Sequence, residues 1–489
     1  MLMKKSQFLA TTKACLLAVA SSGLLLTSCA SDGFEDETFD SGVNNTQIQN
    51  LTEDQITITP SADESKTIIK WKVVNGASGY DCKVYNTTSG SNVVVLDSLV
   101  DGCEFMVNRD EDCYYLLTIQ PKGDTARGNS DAAQMTSKKF NSFSETFATI
   151  PDGTDLAAYF EANPVSTTPA GKELCYDLEP GGNYTLTGNV NFGGQRITLR
   201  STQRSNPANL TIGEDACFIT FNGMAMKYLN INAAAANKSI VSLTDSPNDS
   251  IKSKESSSYY VVTVPFVFKG CTISSLATSI LATNSTKYNI RNLVVNDCVI
   301  QLDETAATAN TGAIVYIKSG YITESAYKNS TIYAKDHIEK FFIQHGGRPK
   351  DISEAETRTV SIENCTLANL AWNKNFCDYH NGQTTYTYVL QNCIIQDCGK
   401  ANLVTGLNKG QDSDNPTWNI NNNTYWRGNA DASEKQLGDN GSPLWMKNNK
   451  GSNTVLTTDP AIDPATGKFT PASAQQAAKQ GDPRWYSAQ

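Results

Sequence analysis

Six short stretches between residues 266 and 426 repeat one another, and that repeat limits the folds open to this chain more than any other feature. In order they are Phe268-Lys269-Gly270-Cys271-Thr272-Ile273, Val295-Asn296-Asp297-Cys298-Val299-Ile300, Tyr327-Lys328-Asn329-Ser330-Thr331-Ile332, Ile362-Glu363-Asn364-Cys365-Thr366-Leu367, Leu390-Gln391-Asn392-Cys393-Ile394-Ile395 and Ile420-Asn421-Asn422-Asn423-Thr424-Tyr425. Their fourth positions follow one another at intervals of 27, 32, 35, 28 and 30 residues. Such a period marks a solenoid, in which each unit buries its apolar side only against its neighbours. Apolar and polar residues alternate and no helical spacing appears, so the units read as strands. The expected fold class is all-β, a parallel β-helix.

The third position of each unit is Gly, Asp or Asn, residues that tolerate a left-handed backbone at low cost and so suit a tight bend. Stacked Asn side chains would form a ladder along that bend. The next position is small, as a narrow inward-facing corner requires. An earlier strand precedes each unit: Ile240-Val241-Ser242-Leu243, Ile280-Leu281-Ala282-Thr283, Ile314-Val315-Tyr316-Ile317, Phe341-Phe342-Ile343-Gln344, Phe376-Cys377-Asp378-Tyr379 and Leu403-Val404-Thr405-Gly406. A coil therefore reads strand, long loop, strand, short Asn bend, strand. This pattern resembles the right-handed β-helix of the pectate-lyase-like superfamily, with its asparagine ladder, over residues 145–489. The repeat is structural grammar and carries no catalytic signature.

Both ends look managed. Thr154-Asp155-Leu156-Ala157-Ala158-Tyr159-Phe160 reads as a short amphipathic helix that caps exposed strand edges. Tyr176 to Tyr184 resembles the start of a first coil. The tail from Asp463 to Trp485 reads as a C-terminal cover, similar to the ending of a family of uncharacterised Bacteroidetes lipoproteins on the same helix.

The N-terminus reads as a processing signal. Lys4-Lys5 supply its positive region and Ala14 to Leu26 its apolar core. Leu26-Thr27-Ser28-Cys29 resembles a bacterial lipobox, which makes Cys29 the lipidated residue and residues 1–28 the signal peptide. The acidic run from Ser31 to Glu37 resembles the export tag of surface lipoproteins, which implies an outer-membrane, cell-surface location. Residues 29–50 then form an acidic tether. No other run approaches the ~20 apolar residues a membrane span needs.

Residues 51–140 read as an immunoglobulin-like β-sandwich. Ile56–Pro60, Ile68–Trp71, Tyr80–Tyr85, Val93–Leu96 and Tyr115–Ile119 are short strands separated by turn residues. A Trp in an early strand, Gly76-Ala77-Ser78-Gly79-Tyr80 and Gly128-Asn129-Ser130 resemble a fibronectin type III domain, which implies a spacer. Of 13 cysteines, Cys15 leaves with the signal and Cys29 takes lipid. Cys271 with Cys298, and Cys365 with Cys393, fall on adjacent coils within reach of a bond, but an interior stack of small apolar thiols is the favoured reading. The spacings match no zinc site.

In the superfamily the chain resembles, ligands lie along the first strand of each coil and the loop after it. That face here collects Lys318, Gln344, His345, Arg348, Lys374, Asp378, His380, Asn381 and Lys409, with Tyr316, Tyr321, Trp372, Tyr379 and Trp418 nearby. Rings that stack on sugars, and cations that pair with uronates, suit an extended glycan such as a pectin. Tyr316, Gln344, His345, Arg348, Trp372, Lys374, Asp378 and His380 are the candidate glycan contacts. A lyase would need a base and a cation beside the substrate carboxylate, for which Lys318 and Arg348 are the pair, with His345 or His380 as a fallback base. Calcium is the cofactor that the resemblance implies for such a lyase. Clustered carboxylates are missing from that face, so a hydrolase is disfavoured. A net charge of −10 argues against nucleic acid as a partner. Three functions follow: a surface polysaccharide-binding lipoprotein within a glycan-utilisation apparatus, a polysaccharide lyase using the same groove, or an adhesive surface protein.

Overall fold

The structure, a computed structural model, describes residues 42–61, 65–165, 172–347, 358–379, 386–399, 417–427, 454–455 and 462–487. The chain divides into two compact units between Glu145 and Thr146. The lipobox and Cys29 lie outside the described residues, and no helix among the described residues is long and apolar enough to cross a membrane.

The first unit is a β-sandwich of seven strands: β1 (Ile56–Pro60), β2 (Lys66–Trp71), β3 (Ala77–Asn86), β4 (Val93–Val100), β5 (Glu104–Asn108), β6 (Tyr114–Gly123) and β7 (Thr136–Asn141). They pair antiparallel as β1-β2-β5 and β4-β3-β6-β7. Alternate residues of the inner strands are buried, among them Ile69, Trp71, Tyr80, Cys82, Val84, Tyr115, Leu117 and Ile119. The Trp71 ring meets Tyr80 edge-on at 5.1 Å and Phe105 at 5.7 Å, while the Tyr80 hydroxyl accepts the Val74 N–H at 2.9 Å. Strands β5 and β7, both at sheet edges, escape the sequence pattern; β5 is only five residues long and β7 carries Phe140 as its one apolar residue. Residues 43–48, read above as tether, belong to the sandwich. Ile48 is buried, and the Asn129 amide donates to Val43 O at 2.8 Å.

The second unit is a right-handed parallel β-helix with three faces. One sheet of eleven strands includes a row from Thr146–Ile150 to Thr417–Asn421; a ten-strand sheet runs from Asn183–Leu186 to Thr454–Val455; a seven-strand sheet runs from Val190–Asn191 to Cys377–Tyr379. All neighbouring strands within them are parallel, and parallel crossovers of this kind are right-handed. Each coil visits the eleven-strand face, the bend, the ten-strand face, a turn, the seven-strand face and a second turn. Thr146–Ile150, Glu173–Leu178, Arg196–Ser201 and Met224–Lys227 precede the first recognised repeat on the eleven-strand face. Apart from the entry at Tyr176 to Tyr184 and the stretch from Ile240 to Leu243, those coils escape the repeat because their bends lack the Asn signature; at Met224–Lys227 the bend residue is Tyr228, at φ 57°.

The bend explains the repeat. Gly270, Asp297, Asn329, Asn364, Asn392 and Asn422 all hold positive φ, between 49° and 62°, the region that costs an ordinary residue roughly 1–2 kcal/mol. Gly270 is glycine for a second reason: a Cβ there would lie 2.5 Å from the Tyr228 ring. Amides then bond from coil to coil. Asn364 Nδ2 donates to Asn329 Oδ1 at 3.2 Å, Asn392 to Asn364 at 3.0 Å, and Asn422 to Asn392 at 2.8 Å. One residue on, each small side chain turns inward. The thiols of Cys271, Cys298, Cys365 and Cys393 donate to Met226 O, Phe268 O, Tyr327 O and Ile362 O of the preceding coil at 3.3–3.5 Å. All eleven described cysteines are free, and burial pushes the Cys298 and Cys365 thiols well above their ordinary pKa.

The two ends differ. A helix, Leu156–Ala162, has Asp155 as N-cap, accepting the Ala158 N–H at 3.0 Å. It buries Leu156 and Phe160 against the first coils, with Phe160 at 4.9 Å from Phe192. Residues 462–487 of the C-terminal segment form a strap along the flank. Phe469 packs 4.6 Å from Tyr333 on the outer ten-strand face. The chain then runs back down the column: Gln480 bonds Asn422, Gly481 N–H reaches Asn392 O at 2.8 Å, and Asp482 bonds Thr366 and Thr331. Arg484 reaches Asp297 at 2.7 Å. Burial raises the Asp482 carboxyl to about 6, with Arg484 and its hydrogen bonds offsetting only part of the shift.

Two outcomes are expected. Replacing Asn364 by Ala removes a left-handed residue and two ladder bonds, and should cost about 3 kcal/mol in denaturant unfolding; Asn364→Gly, which keeps the bend free of strain, should cost less. Because folded Asp482 binds its proton more tightly than the unfolded chain, stability falls as pH rises from about 4 to about 6. Thermal melts of Asp482→Asn should lack that slope.

Candidate functional site

Strand parity on the seven-strand face decides which candidates reach solvent, since successive side chains point to opposite sides. Ser242, Ala282, Tyr316, Gln344 and Asp378 are in register, one per coil, and form an outward column. Gln344 Nε2 donates to Asp378 Oδ2 at 3.1 Å. Lys318 stands exposed just past its strand. Its carbonyl is packed so closely that a Cβ on Gly346 would sit 2.0 Å from Lys318 O, which explains a glycine at that point and fixes how these two coils stack. Arg348, His380, Asn381 and Lys409 lie outside the described residues, as does the side chain of Trp418.

One step along the strand the outcome reverses. Ile317, His345 and Tyr379 share a register and face inward. His345 is 2% exposed, so its place among glycan contacts and fallback bases is withdrawn. Its ring lies 5.0 Å from Tyr379, and neither nitrogen has a hydrogen-bond partner among the described residues. Burial pulls its pKa down to about 3, which keeps the ring neutral. Tyr379 stacks on Tyr386 at 5.5 Å within the same interior cluster. Tyr321 is also fully buried, against Tyr259 and hydrogen-bonded by Asn289. It cannot stack on a ligand.

Trp372 and Lys374 occupy the other side of the face, in the turns that lead into these strands. The Trp372 ring lies parallel to His337 at 3.9 Å and 8°, and the Arg427 guanidinium sits 4.2 Å from its centroid. Two flat groups this close to one ring cannot share a side, and they come from coils before and after Trp372, so both its faces are covered. The expectation that it stacks on a sugar is therefore corrected. His337 Nε2 lies 3.5 Å from Asp397 Oδ2, which joins turns of four coils in one cluster. Lys374 donates to Asn310 O at 2.8 Å and lies over the Phe341 ring at 5.2 Å. His337, Asp397 and Arg427 were not among the sequence candidates. Their signal is positional: His337 and Trp372 each follow a bend Asn by eight residues, Asp397 and Arg427 by five.

The outward column thus offers a phenol, an amide and a carboxylate, with an exposed amine at its edge. Such groups are able to hydrogen-bond to hydroxyls, and the phenol ring is able to stack on an apolar face. No group of three or more His, Cys, Asp or Glu able to hold a metal ion occurs among the described residues.

Three family models match the chain, each described as a domain of unknown function: DUF4992 over residues 3–181, DUF4957 over 182–335 and DUF5123 over 360–485. No curated protein matches. Among solved structures, pectate lyase PelI from Erwinia chrysanthemi, determined with tetragalacturonic acid, is 10% identical over 84% of this chain and 100% of that one, at a TM-score of 0.14. Pectate lyase Pel3 from Pectobacterium carotovorum is 10% identical over the same shares, at a TM-score of 0.15. Likenesses at this level carry no argument about activity.

The interior position of His345 has a measurable consequence. The unfolded chain takes up this proton near the ordinary value of about 6.5, the folded chain only near 3. Stability is full above the upper value and declines as pH falls through the window between them. His345→Phe should flatten that decline in pH-dependent unfolding; an unchanged slope would place the ring in solvent.

Proposed function

We propose that this protein is a surface lipoprotein, anchored through Cys29, that holds an extended polysaccharide along the seven-strand face of its β-helix. The observation that carries this reading is the outward column Tyr316–Gln344–Asp378, which continues without a break across consecutive coils. Strands in such a stack repeat at roughly 4.8 Å, so a polymer lying along the axis meets the same kind of contact again and again. Lys318, exposed at the edge, gives a uronate carboxylate a partner. The sandwich, with its three-plus-four sheets and buried Trp71, serves as a fibronectin type III-like spacer. A role in glycan capture for a utilisation apparatus follows from these assignments, with pectin-like glycans as the leading class.

Affinity gels containing pectins, alginate or glycosaminoglycans test the reading. The purified protein should be retarded by at least one uronate polymer, and Tyr316→Ala or Asp378→Ala should weaken that retardation about tenfold, near 1.4 kcal/mol. Trp372→Ala should leave it unchanged, because both ring faces are already occupied. Mobility unaffected by every polymer removes the proposal. Absorbance from an unsaturated product, with calcium present, would instead show a lyase.

A further inference from the structure

At the first end of the seven-strand face a cleft of about 590 Å³ opens between Phe160, Pro164, Val165, Phe192 and Phe221 on one hand and Asn191, Gln195 and Asn248 on the other, with Gly193 and Gly194 between. It lies in the row of turns that follows the seven-strand strands, the row in which Lys318 also stands, but several coils away. We infer that this cleft binds an uncharged saccharide of one or two rings.

Size, charge and hydrogen-bonding sense each contribute. The volume falls within the range of small-molecule sites, ~300–1,000 Å³. None of the ten lining residues is ionisable, so a carboxylate or amine entering here gains no counter-charge to offset the water it gives up. A purely apolar guest fits poorly too, because carboxamides interrupt the phenyl wall. Their polarity is set by the fold. Asn191 Oδ1 accepts the Gly193 N–H at 2.9 Å, and Asn248 Oδ1 accepts the Ser250 N–H at 2.8 Å. The two asparagine oxygens are thus engaged by backbone, and their Nδ2 groups remain as donors for hydroxyl and ring oxygens. A neutral sugar pairs an apolar face with such oxygens.

The wall is also preformed. Gly193 holds φ 56°, Thr220 Oγ1 donates to Gly193 O at 3.0 Å, and Asn222 Nδ2 donates to Gly194 O at 2.9 Å. A Cβ on Gly194 would lie 2.7 Å from the Phe221 ring, so the bare glycine lets that ring seat against the turn. Little ordering is then left for ligand binding to supply. The site shares no residue with the Tyr316–Asp378 column, so either assignment stands or falls without the other.

Saturation-transfer NMR on the purified protein, with glucose, galactose, arabinose, cellobiose and lactose against galacturonate and glucuronate, is the test. At least one neutral sugar should bind, with either uronate at least fivefold weaker. Asn248→Trp, which fills the rim from an exposed position, and Phe221→Ala should each weaken binding at least fivefold, while Asp378→Ala leaves it unchanged; melting curves confirm that each variant is folded. Silence from all neutral sugars, uronates binding equally well, or affinity untouched by Asn248→Trp overturns the inference.

Discussion

The left-handed bend between the eleven-strand and ten-strand faces is the constraint on which the helix rests. At that corner one residue must turn the chain sharply while its neighbours stay extended, and only a positive φ does so in so little space. Six successive coils meet the demand with Gly, Asp or Asn. The Asn residues then add an amide ladder, which ties each corner to the next and fixes the register of the strands on either side. The residue after the bend, inward and small, hands a thiol, hydroxyl or amide to nearby backbone carbonyls, so the polar atoms at this tight corner are paired among the described residues.

With the coils in register, exposure is a matter of parity. Tyr316, Gln344 and Asp378 share an outer row because each sits at the same step of its strand. Their neighbours Ile317, His345 and Tyr379 are buried for the same reason. Nothing in the chemistry of histidine distinguishes the two fates, and a neutral interior imidazole packed on tyrosine is the result. The turns behave differently. They are free of the two-residue rhythm, and their side chains are placed by what the adjacent coils offer, as in the closed His337–Trp372–Arg427 stack.

The strap adds a long-range clasp to an architecture otherwise built from nearest neighbours. Residues 480–485 touch bends and strands from Asn422 back to Asp297, so coils that have no direct contact are joined through one segment. In a solenoid, where stability is close to a sum of neighbour terms, such a clasp makes distant coils open together. A buried carboxyl at its centre makes the clasp sensitive to pH.

The sequence by itself determined the coil. Period, alternation and bend chemistry are local properties, and they recur at Gly270, Asp297, Asn329, Asn364, Asn392 and Asn422 because each coil solves the same steric problem alone. The short capping helix and most of the sandwich strands were legible on similar grounds. The first coils were legible only in part, through Tyr176 to Tyr184 and the stretch from Ile240 to Leu243, since their bends use other residues, Tyr228 among them. Of the candidate site, Tyr316, Gln344 and Asp378 were named, but strand parity was open, and they stood together with the buried His345, Tyr379 and Tyr321 and with Trp372, whose faces are taken. Only the tertiary structure decided those cases. Which side of a strand is outside, and which neighbour covers a ring, depends on coils some thirty residues apart in sequence lying one strand spacing apart in space, a proximity that no local pattern encodes.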